Sequence, residues 1–135
     1  MKARKSKFAL LPPLTESQAE LLEILWDGGE TTVSGVWEEL RKRREVARNT
    51  VQTMLSRLAE KGWLRHRAVG NTFLFEAAVP RQRAQRLLAG RMVDSLFKGS
   101  AERLVMTLLE DRGLNPEEAE RIRAMLDDAE KPSSK

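Results

Sequence analysis

The fold of this chain is decided by residues 48–77, RNTVQTMLSRLAEKGWLRHRAVGNTFLFEA. Apolar residues recur at helical spacing in the first half of this stretch, at Val51, Met54, Leu55 and Leu58. The spacing predicts an amphipathic helix from about Arg48 to Lys61 that ends at Gly62. Two strand-like runs, Trp63–Ala68 and Thr72–Ala77, follow on either side of a Gly-Asn turn signal, and they predict a β-hairpin.

Two further helices are predicted ahead of this stretch. Thr15 and Gln18 form a capping box at the start of the first, and Gly28-Gly29 ends its apolar stripe. Thr32 is the expected N-cap of the second helix, whose last turn carries the basic run Arg41-Lys42-Arg43-Arg44. Three helices followed by a hairpin are typical of the winged helix-turn-helix, so we predict a mainly α fold with a small β-hairpin.

The polar side of the predicted third helix carries side chains suited to reading DNA, at Asn49, Gln52, Thr53 and Arg57. In the major groove Asn and Gln pair with adenine, Arg with guanine or phosphate, and Thr with phosphate or a thymine methyl group. In the hairpin, Arg65 and Arg67 share one face and are predicted to contact the DNA backbone or the minor groove. His66 between them is predicted to contact a phosphate or to be a plain surface residue.

Positive charge is concentrated in the same region. Residues 41–67 hold nine Lys and Arg against two Glu, whereas the whole chain has a net charge of +4 and a calculated pI of 9.8. Residues 81–135 are nearly neutral, so we predict a polyanion-binding unit followed by a partner-binding unit. Two interpretations of the basic run at 41–44 stay open: contact with a polyanion, or stabilisation of the C-terminal end of a helix dipole.

Three short helices are predicted after Pro80: about Arg81–Lys98, about Ala101–Arg112, and one that begins at the cap signal Asn115-Pro116. About 50 residues in three short helices make a poor core, so their apolar stripes need burial elsewhere. A second copy of the chain is the simplest source, and folding back onto the N-terminal unit is the alternative. We predict a homodimer whose interface contains Leu104, Leu108, Ile122 and Leu126.

These patterns divide the chain into four predicted parts. Residues 1–13 are expected to be a disordered basic arm, 14–79 a winged-helix DNA-binding domain, 80–130 a three-helix dimerisation domain, and 131–135 a tail. Pro12-Pro13 and Pro80 mark the two main boundaries.

Residue types exclude several classes of site. The chain has no Cys and a single histidine, His66, which excludes thiolate metal clusters, a cysteine nucleophile and a site with two imidazole ligands. No Gly-rich phosphate loop and no metal-ligand spacing occur. We therefore predict that the protein is not an enzyme, with no catalytic residue, no metal site and no cofactor. No apolar run approaches about 18 residues, so we expect a cytoplasmic protein without membrane contact.

The chain also resembles a known family of regulators over residues 14–127. The shared markers are Trp26 at the end of the first helix, Asn-Thr-Val-x-Thr-x-x-x-Arg-Leu from Asn49, Lys61-Gly62 after it, and Leu-Val-x-x-Leu-Leu at 104–109. Their order and spacing are similar to those of the penicillinase and methicillin-resistance repressors, which are grouped with the copper-responsive repressors as the BlaI/MecI/CopY family.

The resemblance implies a homodimeric transcriptional repressor that binds an inverted-repeat operator in double-stranded DNA. Two winged helices would lie in successive major grooves, with the C-terminal helices interlocked. The positions that match the family's DNA-contacting helix are Arg48, Asn49, Thr50, Gln52, Thr53 and Arg57. Gln52 stands where the resistance repressors have Arg.

The family's routes of release are altered at the matching positions. In the resistance repressors a sensor-peptidase system cuts an Asn-Phe bond in the dimerisation domain, and the matching pair here is Thr107-Leu108. The copper repressors use Cys-x-Cys motifs, and this chain has no cysteine. The resemblance therefore leaves a sensor peptidase or another inducer open.

Two other functions remain to be weighed against DNA binding. A winged-helix module that binds proteins would have a merely solvated basic face and would show no salt-dependent DNA binding. RNA binding by the common modules is disfavoured, because no exposed stacking aromatics are expected on a sheet.

Overall fold

The computed structural model describes residues 10–130. They form, in chain order, α1 Glu16–Gly28, β1 Thr31–Thr32, α2 Val33–Arg41, α3 Arg48–Glu60, β2 Leu64–Val69, β3 Thr72–Ala77, α4 Arg81–Leu96, α5 Ala101–Asp111 and α6 Pro116–Glu130. The predicted helices and the hairpin are confirmed, with ends that differ by one or two residues. Residues 1–9 of the predicted arm and the predicted tail 131–135 lie outside the described residues.

Capping side chains explain where the first two helices begin. The Thr15 hydroxyl accepts a hydrogen bond from the Gln18 backbone N–H at 3.2 Å, and the Gln18 side chain accepts from the Thr15 N–H at 2.9 Å. At α2, Thr32 Oγ1 accepts from the Gly35 N–H at 3.0 Å. The residue before α3, Ala47, makes no capping hydrogen bond with its side chain. The start of α3 therefore depends on the packing of its apolar face.

The hairpin belongs to a three-stranded antiparallel sheet in the order β1-β3-β2, and β1 was not predicted from the sequence. Thr31 of β1 lies opposite Phe75 of β3. A strand of two residues has no periodicity of its own, so only its partner strand defines it. Between β2 and β3, Gly70 has a φ of 62°, which suits the first position of a two-residue type II′ turn.

A single apolar core joins α1–α3, the sheet and the start of α4. Its buried residues are Leu11, Leu21, Leu22, Ile24, Leu25, Val36, Leu40, Val51, Leu55, Leu58, Trp63, Leu64, Phe75, Val79 and Ala84. Leu11 lies within the predicted arm 1–13, yet it is only 7% exposed. The neighbouring Pro12 carbonyl accepts a hydrogen bond from Trp63 Nε1 at 3.0 Å. The folded part therefore begins before the predicted arm ends.

The chain divides into two compact units between Ala89 and Gly90, inside α4. Ala84 is fully buried in the first unit, and Leu87 and Leu88 pack against the same core. The sequence places the boundary earlier, at residues 79–80, because Pro80 precedes a helix start. In the structure the first half of α4 is part of the first unit.

The second unit, from Gly90 onward, has no buried residue among those described. Its helices begin at side-chain caps: Ser100 Oγ accepts from the Arg103 N–H at 3.1 Å, and Asn115 Oδ1 accepts from the Glu118 N–H at 2.7 Å. Its exposed large apolar residues are Met92, Leu96, Val105, Met106, Leu108, Leu109, Leu114, Met125 and Leu126. Local capping forms these helices, while their apolar faces remain open.

Two further findings concern residues 10–130 alone. No helix in this range is both long enough and apolar enough to cross a membrane. Over the same range, no cluster of His, Cys, Asp and Glu could hold a metal ion.

Candidate nucleic-acid interface

Helix α3 presents a continuous polar face to the outside. Its inner residues Val51, Leu55 and Leu58 are 0% exposed, which fixes the rotation of the helix on the core. All six predicted DNA-contacting positions of this helix are exposed: Arg48, Asn49, Thr50, Gln52, Thr53 and Arg57. The fold therefore brings the predicted residues together on the open side of one helix.

The exposed side of α3 borders a groove of about 290 Å³ that also involves the start of α2 and the tip of the hairpin. Its lining residues are Thr32, Val33, Ser34, Arg48, Gln52, Asn71, Thr72 and Phe73. Arg48 Nε donates to Ser34 Oγ at 3.2 Å, a contact that joins α3 to α2. The sequence pattern did not single out Ser34, Asn71 or Thr72, because only the folded chain brings a helix start and a hairpin turn beside α3.

Ion pairs change how the positive charge of residues 41–67 is distributed. Six of its nine cations pair with carboxylates at 2.8–3.6 Å: Arg41 with Glu38, Lys42 with Glu39, Arg43 and Arg44 with Glu20, Arg65 with Glu76, and Arg67 with Glu30. The other three are Arg48, Arg57 and Lys61, and no carboxylate in residues 10–130 forms an ion pair with them. All three belong to α3 or its C-cap, so the cationic charge available to a polyanion is concentrated on that helix.

The two hairpin arginines are held by carboxylates on the same side of the sheet. Arg67 donates through Nε and Nη2 to the two carboxylate oxygens of Glu30 at 2.8 and 2.9 Å. This hydrogen bond lowers the pKa of the Glu30 carboxyl below its ordinary value and raises the pKa of Arg67. Arg65 Nη2 donates to Glu76 at 3.0 Å. A DNA phosphate at either arginine must therefore compete with a carboxylate.

His66 lies on the opposite side of the sheet from the two arginines, in register with Phe75. Its ring centroid is 5.6 Å from that of Phe75 and 5.3 Å from that of Phe73. Phe73 is 52% exposed and also borders the groove beside α3. The histidine is thus an exposed side chain that meets the Phe73 ring edge to face and lies at a tilt to the Phe75 ring.

The sequence matches the family model described as penicillinase repressor over residues 14–128. The chain belongs to the penicillinase repressor family. It is 24% identical over 118 residues to the penicillinase repressor of Bacillus licheniformis, a match that covers 87% of this chain and 92% of that protein. It is 21% identical over 113 residues to the methicillin resistance regulatory protein MecI of Mammaliicoccus sciuri, covering 84% and 92%.

The first unit also has a counterpart among solved structures. The solution structure of the DNA binding domain of the repressor BlaI aligns with a TM-score of 0.50 and 27% sequence identity, covering 54% of this chain and 89% of that one. The predicted winged-helix fold is therefore confirmed. Membership of the penicillinase repressor family likewise confirms the predicted class, a DNA-binding transcriptional repressor, over a module that binds only proteins.

The residues predicted for the dimer interface lie in α5 and α6. Leu108 and Leu126 are 40% and 58% exposed, and Leu104 and Ile122 are half-buried. The pair Thr107-Leu108, which matches the cleavage position of the resistance repressors, lies inside α5. There the Thr107 hydroxyl donates to the Arg103 carbonyl at 2.9 Å.

Proposed function

We propose that this member of the penicillinase repressor family binds an inverted-repeat operator as a homodimer, with α3 of each copy in a major groove. In this proposal Arg48, Asn49, Thr50, Gln52, Thr53 and Arg57 contact bases and phosphates, and Arg65 and Arg67 of the hairpin contact the DNA backbone. We expect this binding to take place in the cytoplasm.

The observation that carries the proposal is the distribution of unpaired positive charge over residues 41–67. Arg48, Arg57 and Lys61 have no carboxylate partner in the described residues, whereas the six other cations of residues 41–67 do. Cations without internal partners release more counterions when they meet phosphates, so they contribute most to DNA affinity. They lie on α3 or at its C-cap, and the exposed side of this helix also carries Asn49, Gln52 and Thr53, residue types that read base edges.

The exposed apolar faces of α5 and α6 support the homodimer. Monomeric proteins seldom expose apolar patches of more than a few hundred Å² unless the patch binds something. A two-fold pairing of these faces would bury Leu104, Leu108, Ile122 and Leu126 and would place two copies of α3 on one particle. Two half-sites held together bind far more tightly than one, because the second binding event becomes intramolecular.

Release from DNA is proposed to act through the same faces. A cut at Thr107-Leu108 would separate most of α5 from α6 and divide the predicted interface. Because the pair is Thr-Leu and not Asn-Phe, we expect a sensor peptidase with a different cleavage preference, or another inducer.

The test of the DNA-binding face is the variant Arg57→Ala, measured against an operator selected from a random duplex pool. We expect selection to enrich an inverted repeat whose half-sites are about 10 base pairs apart or a multiple of it. We expect Arg57→Ala to weaken operator binding by about 1–3 kcal/mol, since it removes a cation from the DNA-reading face and leaves the core intact.

The matched control is Lys42→Ala, which removes the same charge from the C-cap of α2, where Lys42 already pairs with Glu39 at 3.0 Å. Its effect on operator binding is expected to be small. Equal affinities for Arg57→Ala and the unaltered protein would contradict the assignment of α3, and selection without any enriched sequence would contradict operator recognition itself.

A further inference from the structure

The first turn of α4 carries an ion-pair cluster that DNA reading does not use. Arg81 Nη2 donates to Glu23 Oε1 at 3.0 Å and also to Asp27 Oδ1, so one guanidinium holds two carboxylates of α1. The guanidinium carbon lies 5.5 Å from the ring centroid of Trp26. Trp26 Nε1 in turn donates to the Val79 carbonyl at 2.8 Å. These contacts, which we term the Arg81 clamp, lie wholly within the first unit.

The position of Arg81 is unfavourable for the helix that it begins. Arg81 is the first residue of α4, and the first turn contains no acidic residue. A cation at a helix N-terminus is opposed by the helix dipole. Local helix preference therefore does not account for an arginine here, and the contacts with α1 do.

The clamp lies at the start of α4, the helix within which the first unit ends. Helix α4 runs without a break from Arg81 to Leu96, across the boundary between Ala89 and Gly90. Ala84 packs in the core on one side of the helix, and the clamp ties its first residue to α1. Together they hold the first half of α4 at two places within the first unit, the core contact of Ala84 and the ion pairs of Arg81.

We infer that Arg81 is a positioning residue that sets the operator spacing a dimer of this chain accepts. The inference rests on the proposed dimer. In an inverted repeat, each added base pair turns one half-site by about 35° and moves it by about 3.4 Å relative to the other. With α4 held by the clamp, a dimer binds weakly to operators of altered spacing. With α4 released, the dimer binds operators of several spacings with similar affinity. The clamp then contributes to specificity without touching DNA.

The test uses the full chain and a series of duplexes with identical half-sites whose spacer is shortened or lengthened by one to three base pairs, together with a duplex that carries one half-site. We expect the unaltered protein to prefer one spacing by about tenfold or more over its neighbours. Arg81→Ala is expected to bind the single half-site with unchanged affinity and to lose most of this preference. Arg86→Ala removes the same charge from an exposed position of the same helix and is expected to keep the preference.

A second variant guards against a general loss of structure at α4. The double substitution Glu23→Gln, Asp27→Asn removes both carboxylates, keeps Arg81 and is expected to flatten the spacing profile in the same way. Its added positive charge raises affinity for all spacings alike, so the ratio between spacings remains the readout. A folded Arg81→Ala protein whose spacing profile equals that of the unaltered dimer overturns the inference.

The inference and the proposed function fail in different ways. An unaltered protein that prefers no inverted repeat contradicts the proposed operator binding before any variant is compared. An unaltered protein with a clear spacing preference, which both clamp variants retain, leaves the proposed function intact and assigns Arg81 a stabilising role only.

Discussion

The two units of this chain differ in how they hold themselves together. Among its described residues, the first contains fifteen buried apolar side chains, which link α1–α3, the sheet and the start of α4. The second has none among its described residues, although its helices start at well-formed Ser100 and Asn115 caps. Caps satisfy the backbone at helix ends, but they contribute only about 1 kcal/mol each. The difference shows that the second unit contains helices that still require a surface to pack against.

The largest effect is expected when charged residues are placed on the exposed apolar faces of the second unit. Leu104→Asp, Ile122→Asp places two carboxylates on faces that the dimer would bury, where an unpaired charge is far too costly to be buried. We expect this variant to sediment as a monomer and to lose most of its operator affinity, while its first unit stays folded.

The control for that variant is Arg121→Asp, which changes the net charge by the same two units at an exposed position of α6. It is expected to remain a dimer. If the double variant also sediments as a dimer, the second unit is covered by something other than its own copy, or the interface lies elsewhere.

A matched pair of truncations sharpens the comparison at intermediate size. Leu55→Ala in the core of the first unit is expected to lower the free energy of unfolding by about 2–5 kcal/mol, because it leaves a cavity in a fully packed site. Leu108→Ala makes the same chemical change at a residue that is 40% exposed in the single chain.

The two variants should differ in how their stability responds to protein concentration in chemical denaturation. The loss at Leu55 is expected to be the same at every concentration, since it concerns contacts within one chain. The loss at Leu108 should be largest at high protein concentration and shrink on dilution, because contacts across the dimer stop contributing once the unaltered protein also dissociates. A concentration-independent loss at Leu108 would mean that its contacts are internal to one chain.

The smallest expected effect concerns the contribution of the hairpin to DNA binding, as distinct from that of α3. Glu30→Gln breaks the two-oxygen contact with Arg67 and frees that guanidinium for phosphate. We expect tighter operator binding and a slope of log affinity against log salt that is steeper by about one. Glu110→Gln makes the same charge change on α5, and its slope is expected to stay unchanged. Identical slopes for the two variants would show that Arg67 does not reach the DNA backbone.

The pKa of Glu30 gives this contact a defined pH range. Because the hydrogen bond with Arg67 lowers the folded-state pKa of Glu30 below its ordinary 4.5, the contact stabilises the folded protein above that value. Its contribution is lost only as the pH falls through the lowered folded-state value. The difference in the free energy of unfolding between Glu30→Gln and the unaltered protein should therefore persist through neutral and mildly acidic pH. It should vanish in strong acid.

Local signals explain the parts of the fold that could be predicted from the sequence. The Thr15–Gln18 capping box, the Thr32 cap and the glycine after α3 act within a few residues, so their patterns are legible in one dimension. The apolar face of α3 could be predicted for the same reason. Its position also predicted that Asn49 and Arg57 are exposed. Strand β1 could not be predicted, because two threonines form a strand only through β3.

Features of the site that depend on distant residues could not be predicted. Arg67 lies 37 residues from Glu30, and Arg81 lies 54 residues from Asp27, so no local pattern indicates either pair. The basic run at 41–44 is a further example. The summed positive charge of this run predicts attraction to a polyanion, yet each of its members pairs with a carboxylate of α1 or α2. Charge arithmetic locates the right unit, and only the folded chain shows which cations remain available.

The indole groups of this chain give it an optical signal confined to one unit. There is no tyrosine, and the three tryptophans all belong to the first unit. Each indole N–H donates to a backbone carbonyl, Trp26 to Val79 and Trp37 to Val46 at 2.8 Å, and Trp63 to Pro12 at 3.0 Å. Intrinsic fluorescence therefore follows the DNA-reading unit alone, whereas far-ultraviolet circular dichroism follows the helices of both. In a single melting experiment, the difference between the midpoint temperatures of the two signals reports how much the two units differ in thermal stability, without any added label.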